Sequence, residues 1–157
     1  MRQILLASLT RQTRGSQLLN MLLQEEYSLL RGGKPDQVTG LEMTIQELIR
    51  QLVREREFLL RQLDKQGLAR LGEYLDTLAP EQREGFDVLL TKLVEHEQSS
   101  ARQTSVNAEL AMALWKQSGS LLSQFQQQVT PRERNTYTAK GTWYNRPATA
   151  SLVHGRL

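Results

Sequence analysis

Leucines recur at helical spacing in the first part of the chain. Between residues 18 and 30 they follow one another at intervals of three, four and seven positions. The members of this stripe are Leu18, Leu19, Leu22, Leu23, Leu29 and Leu30. Such spacing places apolar side chains on one side of an amphipathic helix. The helix is predicted to end at residues 32–35, Gly-Gly-Lys-Pro, because glycines end helices readily and proline cannot continue one.

A second apolar stripe follows this turn. It is interleaved with a charged run, Arg-Glu-Arg-Glu, at residues 54–57. Its members are Leu41, Ile45, Leu48, Leu52, Leu59 and Leu63. The pattern predicts a second helix that ends near Gly67. Residues 68–78 then form either a short helix or a frayed continuation, and the sequence leaves both open.

A long third helix is predicted over residues 80–129. Pro80 suits a first helical turn, and the acidic residue that follows complements the positive end of the helix dipole. No further proline occurs before Val129. One helix of about 50 residues would be roughly 75 Å long at 1.5 Å per residue.

The apolar stripe of this third helix turns polar midway. It meets polar residues between positions 97 and 107 before apolar residues resume at Ala111. These polar members are Glu97, Ser100, Thr104 and Asn107. Either the helix leaves its neighbours here, or it buries polar groups that fix its register. We favour the first interpretation, in which residues 97–107 separate a helical bundle from a partner-binding end.

Composition favours an all-α fold. The chain has 28 leucines and 17 glutamines but only nine aromatic residues, so its apolar surface comes from side chains that favour helices and interhelical seams. We predict an elongated antiparallel helical bundle or coiled coil with three main helices over residues 1–129. Residues 130–157 are predicted to form a flexible tail that is basic and aromatic.

The same composition limits the cellular setting. Cysteine is absent, which removes disulfides and thiolate chemistry and fits a reducing cytoplasm. No apolar run approaches the roughly 20 residues that cross a bilayer. We therefore expect a soluble, cytoplasmic protein with no integral membrane segment.

The net charge of +3 is unevenly distributed. Residues 1–129 carry a net charge of −1, whereas residues 130–157 carry +4. A basic tail is compatible with nucleic acid or an anionic membrane. However, its cations are scattered and the helical body is slightly acidic, so we expect no nucleic-acid partner. The tail is then either an inert end or a recognition peptide.

The sequence offers little for catalysis. Its two histidines, His96 and His154, lie in no zinc-protease or di-iron motif. Residues 32–35 resemble a phosphate-binding loop only in composition, and no serine or threonine has an assignable base. We therefore expect no enzyme activity, no cofactor and no metal site.

The end of the third helix carries a second concentration of apolar side chains. These are Leu110, Leu114, Trp115, Leu121, Leu122, Phe125 and Val129. They are either ordinary core or a surface that receives an amphipathic helix from another chain. In the second case the exposed surface could also pair with itself, giving a homodimer when the partner is absent.

Two local motifs give the chain a family resemblance. Residues 107–110, Asn-Ala-Glu-Leu, leading into Leu121 and Leu122, are similar to an N-x-x-L … A-L-x-x-L stretch of the FlgN family of flagellar export chaperones. Residues 137–141 resemble that family's Y-G-x-x-G tail motif, with Thr138 where glycine is usual. The three-helix layout with a tail also resembles this family.

The resemblance implies a function and two binding surfaces. Such chaperones bind the helical C-terminal regions of hook–filament junction proteins of the FlgK and FlgL type, prevent their premature association, and deliver them to an FlhA-type export gate. The implied substrate surface consists of Asn107 and the apolar side chains at the end of the third helix. These are Leu110, Leu114, Trp115, Leu121, Leu122, Phe125 and Val129. Tyr137 matches the tail tyrosine associated with the gate, and Gly141, Trp143 and Tyr144 are assigned to the same tail surface.

A different class of function is also compatible with the pattern. Long helices with heptad-like stripes build structural coiled-coil adaptors, and a basic tail could neutralise phosphates of a nucleic acid. Salt separates these alternatives, since phosphate binding weakens as salt rises whereas apolar helix capture does not.

Overall fold

The structure is a computed structural model that describes residues 1–129 and the backbone of residues 136–137 and 143–144. Its elements are α1 (Arg2–Arg31), α2 (Pro35–Asp64), α3 (Leu71–Asp76), α4 (Pro80–Val129), β1 (Thr136–Tyr137) and β2 (Trp143–Tyr144). The all-α class is confirmed. The described part contains four helices instead of three main ones, because residues 71–76 form a short helix of their own.

The turn between α1 and α2 follows from its glycines and proline. Gly33 has a φ of 63°, a left-handed conformation that glycine adopts without steric cost. This conformation lets the amides of Gly33 and Lys34 bond the carbonyls of Leu30 and Leu29, which closes the last turn of α1. Pro35 then begins α2, where its missing N–H costs no helical hydrogen bond.

Contacts along the helices set their directions. Ser8 of α1 hydrogen-bonds Glu55 of α2, whereas Gly15 lies against Leu52, so α1 and α2 are antiparallel. Thr13 of α1 donates to the carbonyl of Leu89 of α4, and later residues of α1 bond later residues of α4. These two helices are therefore parallel.

The hydrophobic core lies where the start of α1, the end of α2, α3 and the start of α4 meet. Leu5, Leu63 and Phe86 are completely buried there. The full cluster is Leu5, Leu9, Leu59, Leu63, Leu75, Phe86 and Leu93. Tyr74 of α3 places its ring edge-on to Phe86, with the centroids 6.1 Å apart. The short helix α3 therefore completes the core at this end.

The middle of α1 packs differently from the predicted leucine stripe. Leu18 is 46% exposed, whereas Ser8, Thr13 and Ser16 are buried. α2 comes close to α1 at Gly15, where a Cβ would lie 2.7 Å from a methyl carbon of Leu52. Small residues admit the neighbouring helix where leucine would not fit. Thr13 also bonds the carbonyl of Leu9 in its own helix, which satisfies its hydroxyl.

The chain divides into two units by its internal contacts, Met1–Ala111 and Met112–Leu157. Every residue of the core cluster belongs to the first unit. In the part of the chain that the structure describes, no helix is long and apolar enough to cross a membrane.

One ion pair links α1 to α2 beside the core. The guanidinium of Arg11 donates two hydrogen bonds to the carboxylate of Glu55, at 2.8 and 3.0 Å, and Ser8 donates a third. The bond from Arg11, assisted by that from Ser8, holds the pKa of Glu55 below its ordinary value, against a smaller opposing effect of burial.

This pair predicts a pH dependence of stability. Because the folded pKa of Glu55 is lowered, its contribution is present above the unfolded pKa of about 4.3 and is lost as the pH falls through the folded value. We expect Glu55→Gln to be less stable than the wild type at pH 7 by a few tenths to about 1 kcal/mol, since Arg11 is half exposed and solvent screens the pair. Urea unfolding at pH 7, 5 and 3 should show the difference vanish at the lowest pH.

Glu57→Gln is the matched control, since Glu57 forms a looser pair with Arg61 of its own helix at 3.6 Å. Its effect should be smaller at every pH. A deficit of Glu55→Gln that persists unchanged at pH 3 would show that the carboxylate charge is not what stabilises this contact.

Candidate functional site

The polar stretch of α4 stays packed on α1. Ser100 and Asn107 are only 6% and 4% exposed. The side chain of Asn20 donates to the hydroxyl of Ser99 at 3.0 Å, which joins the two helices midway. The favoured prediction that α4 leaves its neighbours at residues 97–107 is therefore wrong. The alternative of buried polar groups holds for Ser100 and Asn107, whereas Glu97 and Thr104 are exposed.

Asn107 makes the last of these links. Its amide nitrogen donates to the backbone carbonyl of Leu23 at 2.8 Å and to the carboxylate of Glu26 at 2.6 Å. Its amide oxygen accepts a hydrogen bond from Gln103 at 2.9 Å. Both ends of the amide are thus satisfied within the helices. The predicted contact of Asn107 with a substrate stays a prediction, and in this structure the residue joins α4 to α1.

Beyond Asn107 the apolar side chains of α4 are largely uncovered. Leu110 and Leu114 are half-buried. The exposed fractions are 71% for Trp115, 60% for Leu121, 58% for Leu122 and 59% for Phe125. None of residues 112–128 is buried, and Lys116 is the only charged residue among them. The side chain of Val129 lies outside the described residues.

These side chains occupy two sides of α4. Successive residues of a helix are about 100° apart, so positions three, four and seven apart share a side. Leu110, Leu114, Leu121 and Phe125 lie on the same side as Asn107, and we call them the α4 stripe. Trp115 and Leu122, seven residues apart, lie on a neighbouring side.

Sequence analysis missed a cleft in the first unit. It lies between α2 and α4 over α1, with a volume of about 290 Å³. Ile49 and Val53 of α2 line one wall and are 44% and 50% exposed. Leu93 and Ala101 of α4 line the other. The leucine pattern did not predict this cleft. Its width depends on how far apart α2 and α4 lie where both pack on α1, and a pattern along the chain does not record that distance.

The predicted tail surface is described only in part. The backbones of Thr136 and Tyr144 pair, as do those of Tyr137 and Trp143. Gly141 and the side chains of Tyr137, Trp143 and Tyr144 lie outside the described residues. The predicted flexibility of the tail concerns residues that also fall outside the description and stays a prediction.

The described residues contain no group of three or more histidine, cysteine, aspartate or glutamate side chains placed to hold a metal ion. His96 is half-buried on α4, and His154 falls outside the part that the structure describes.

An all-α fold with a largely exposed apolar helix end is compatible with binding a helix of another chain. The sequence matches the family model described as FlgN protein over residues 1–144. The chain therefore belongs to the FlgN family of flagellar export chaperones, which is not an enzyme family. No curated protein and no solved structure matches it.

The link at Asn107 yields a prediction for Asn107→Asp. The introduced carboxylate would face the carboxylate of Glu26 and the carbonyl of Leu23 in a buried setting. We expect a loss of roughly 2–4 kcal/mol in the free energy of unfolding at pH 7. Burial raises the pKa of the introduced acid, so the loss should shrink as the pH falls towards about 4 and the group takes up a proton.

Ala108→Asp adds the same charge at an exposed neighbour and should change stability by less than about 0.5 kcal/mol. Urea unfolding of both variants at pH 7 and pH 4 measures the effect. Equal stability of Asn107→Asp and Ala108→Asp at pH 7 would mean that this amide does not hold α4 on α1.

Proposed function

We propose that the protein is a cytoplasmic export chaperone that binds the helical C-terminal regions of hook–filament junction proteins of the FlgK and FlgL type. It prevents their premature association and delivers them to an FlhA-type component of the flagellar export gate. Membership of the FlgN family supports the general role. The exposed end of α4 supports the mode of binding.

The observation that carries the proposal is the exposure of the α4 stripe. Leu121 and Phe125 are about 60% exposed although they are large and apolar, and they lie four residues apart on one helix side. Burial of such a side chain contributes up to about 3 kcal/mol, before the entropic cost of association. An amphipathic helix that covered the stripe would bury these side chains together with its own apolar side.

The composition of this segment fits a partner of that kind. With one charged residue among residues 112–128, the surface offers apolar contact and neutral hydrogen-bonding groups from serine and glutamine. Leu110, Leu114, Leu121 and Phe125 are the proposed anchors. Trp115 and Leu122 extend the surface on one side, and the proposed contribution of Val129 rests on its sequence position.

The tail is the proposed gate-binding segment. Tyr137 and Gly141 carry the resemblance to the family's tail motif, and Trp143 and Tyr144 add aromatic side chains of the kind that anchor interfaces. The family match extends through residue 144 and so includes all four positions.

Substrate binding is tested with Leu114→Glu combined with Leu121→Glu. Isothermal titration calorimetry with a FlgK-type C-terminal helix peptide should show salt-tolerant binding to the wild type with a negative heat-capacity change, and none to the double variant. Neither residue belongs to the core cluster, so circular dichroism should show an unchanged helical fold.

Ala113→Glu is the matched control, because Ala113 is exposed on another side of the same segment. It should bind the peptide as the wild type does. Unfolding of the double variant would show that the stripe is core. Salt-sensitive binding of nucleic acid in place of the peptide would favour the alternative of a nucleic-acid-binding protein that uses its basic tail.

Delivery to the gate is tested by truncation after Val129. No residue of the core cluster is removed, so thermal stability should remain within a few degrees of the wild type. Peptide binding should also persist, whereas binding to the cytosolic domain of an FlhA-type protein should be lost. A large fall in the melting temperature would show that the tail contributes to the fold instead.

A further inference from the structure

The cleft between α2 and α4 is lined by a polar group that the fold does not satisfy. Ser100 lines the cleft and is 6% exposed. Its hydroxyl is the buried side-chain group that has no hydrogen-bond partner among the described residues. A buried hydroxyl in that state is unfavourable, so a ligand that brought a polar atom to it would gain a hydrogen bond at little cost to the fold.

Other hydroxyls on the helices are satisfied locally. Thr13, Thr91 and Thr104 each donate to the backbone carbonyl four residues earlier, at 2.9 Å. Such a bond is the usual solution for a serine or threonine within a helix. Ser100 makes no such bond to the carbonyl of His96. Its hydroxyl is therefore available to a group that enters the cleft.

The size and walls of the cleft limit what can enter. Its volume of about 290 Å³ lies just below the roughly 300 to 1,000 Å³ of sites that hold drug-sized ligands, so it suits one large side chain. Ile49 and Val53 of α2 and Leu93 of α4 form apolar walls around Ser100. The matching side chain has an apolar body and a polar tip, which is the character of tyrosine and tryptophan.

Tyrosine fits this combination best. A phenol O–H both donates and accepts hydrogen bonds, so it pairs with a serine hydroxyl in either role. The indole of tryptophan can only donate, and phenylalanine has no polar tip. Arg56, which also lines the cleft, offers a cation for the face of an aromatic ring.

The charges of the cleft define the surroundings of the tyrosine. Arg56 on the α2 side and Glu97 on the α4 side are both exposed. Neither is in an ion pair within the described part of the chain. A cation on one wall and an anion on the other complement a segment that carries an acid and a base on opposite sides of its aromatic residue.

We propose that this cleft binds a tyrosine side chain of a partner protein, on a segment whose acidic residue faces Arg56 and whose basic residue faces Glu97. The phenol bonds the hydroxyl of Ser100, which turns between staggered rotamers to meet it. The site goes beyond the proposed export function and does not rest on it, since no residue of the α4 stripe lines the cleft. Loss of tyrosine binding and loss of substrate-peptide binding are therefore separate results.

Recognition of the phenol is tested with p-cresol, which is the tyrosine side chain as a free molecule, and with toluene, which lacks the hydroxyl. NMR titration of the isotope-labelled full-length chain should show both probes shifting amide signals of cleft residues. Ser100→Ala should weaken p-cresol binding by about three- to tenfold, as expected for loss of one hydrogen bond, and leave toluene binding unchanged. Ser28→Ala, at an exposed position of α1 outside the cleft, should change neither.

Val53→Glu and Val88→Glu form a matched pair for the location of the site. Both valines are 50% exposed, but only Val53 lines the cleft. Val53→Glu should abolish binding of both probes, and Val88→Glu should have no effect, with circular dichroism confirming the fold of each. Unchanged p-cresol binding in Ser100→Ala, equal weakening of both probes, or loss of binding in Val88→Glu would overturn the proposal. Binding of p-cresol only after removal of residues 130–157 would overturn the partner in favour of the chain's own tyrosines.

The charges are tested with a blocked alanine-rich helical peptide that has a central tyrosine, with glutamate and lysine on its two sides. Arg56→Glu should weaken binding of this peptide by about two- to fivefold, the range for an exposed ion pair. Adding Glu97→Lys should restore the affinity, because the exchanged charges accept the same peptide in the reverse direction. A double variant that binds no better than Arg56→Glu alone would overturn the proposed partner chemistry.

Discussion

The hydrogen bonds of Asn107 set how far α4 remains joined to α1. The amide reaches a backbone carbonyl and a carboxylate of α1, so a shift of α4 by one residue would break both bonds. Hydrophobic contact alone would tolerate such a shift, because leucines pack in several registers. A single buried amide does not tolerate a one-residue shift, because its hydrogen bonds would be lost. A buried asparagine is a known means of specifying register in coiled coils. Beyond this link, none of residues 112–128 is buried.

The long helices were predictable because each carries strong local signals. The glycines and proline of residues 32–35 mark the turn after α1, and Pro80 marks the start of α4. The family resemblance was predictable from a few residues and is confirmed by the match over residues 1–144. Each of these features depends on residues that are close together in the sequence, so the order of residues along the chain is enough to predict it.

Pairing between helices was not predictable in the same way. The polar residues of α4 were interpreted as the place where it leaves the bundle, since a stripe of serine, threonine and asparagine lacks apolar contact. Asn20, which bonds Ser99, and Glu26, which bonds Asn107, lie about 80 residues earlier and give no local sign of being partners. Likewise, Leu18 belongs to a regular leucine pattern and yet is exposed, whereas small residues of α1 are buried and Gly15 lies against Leu52 of α2. Both errors arose from tertiary packing.

The location of the core affects how the sequence could diverge. All seven core residues lie between Leu5 and Leu93, whereas the apolar end of α4 contributes none. We therefore expect substitutions in residues 112–128 that keep helix propensity to have little effect on the folding free energy. Under the proposed mode of binding, stability and partner choice therefore depend on different residues. A lineage whose export substrates change could remodel this one helical segment while its folding determinants stay as they are.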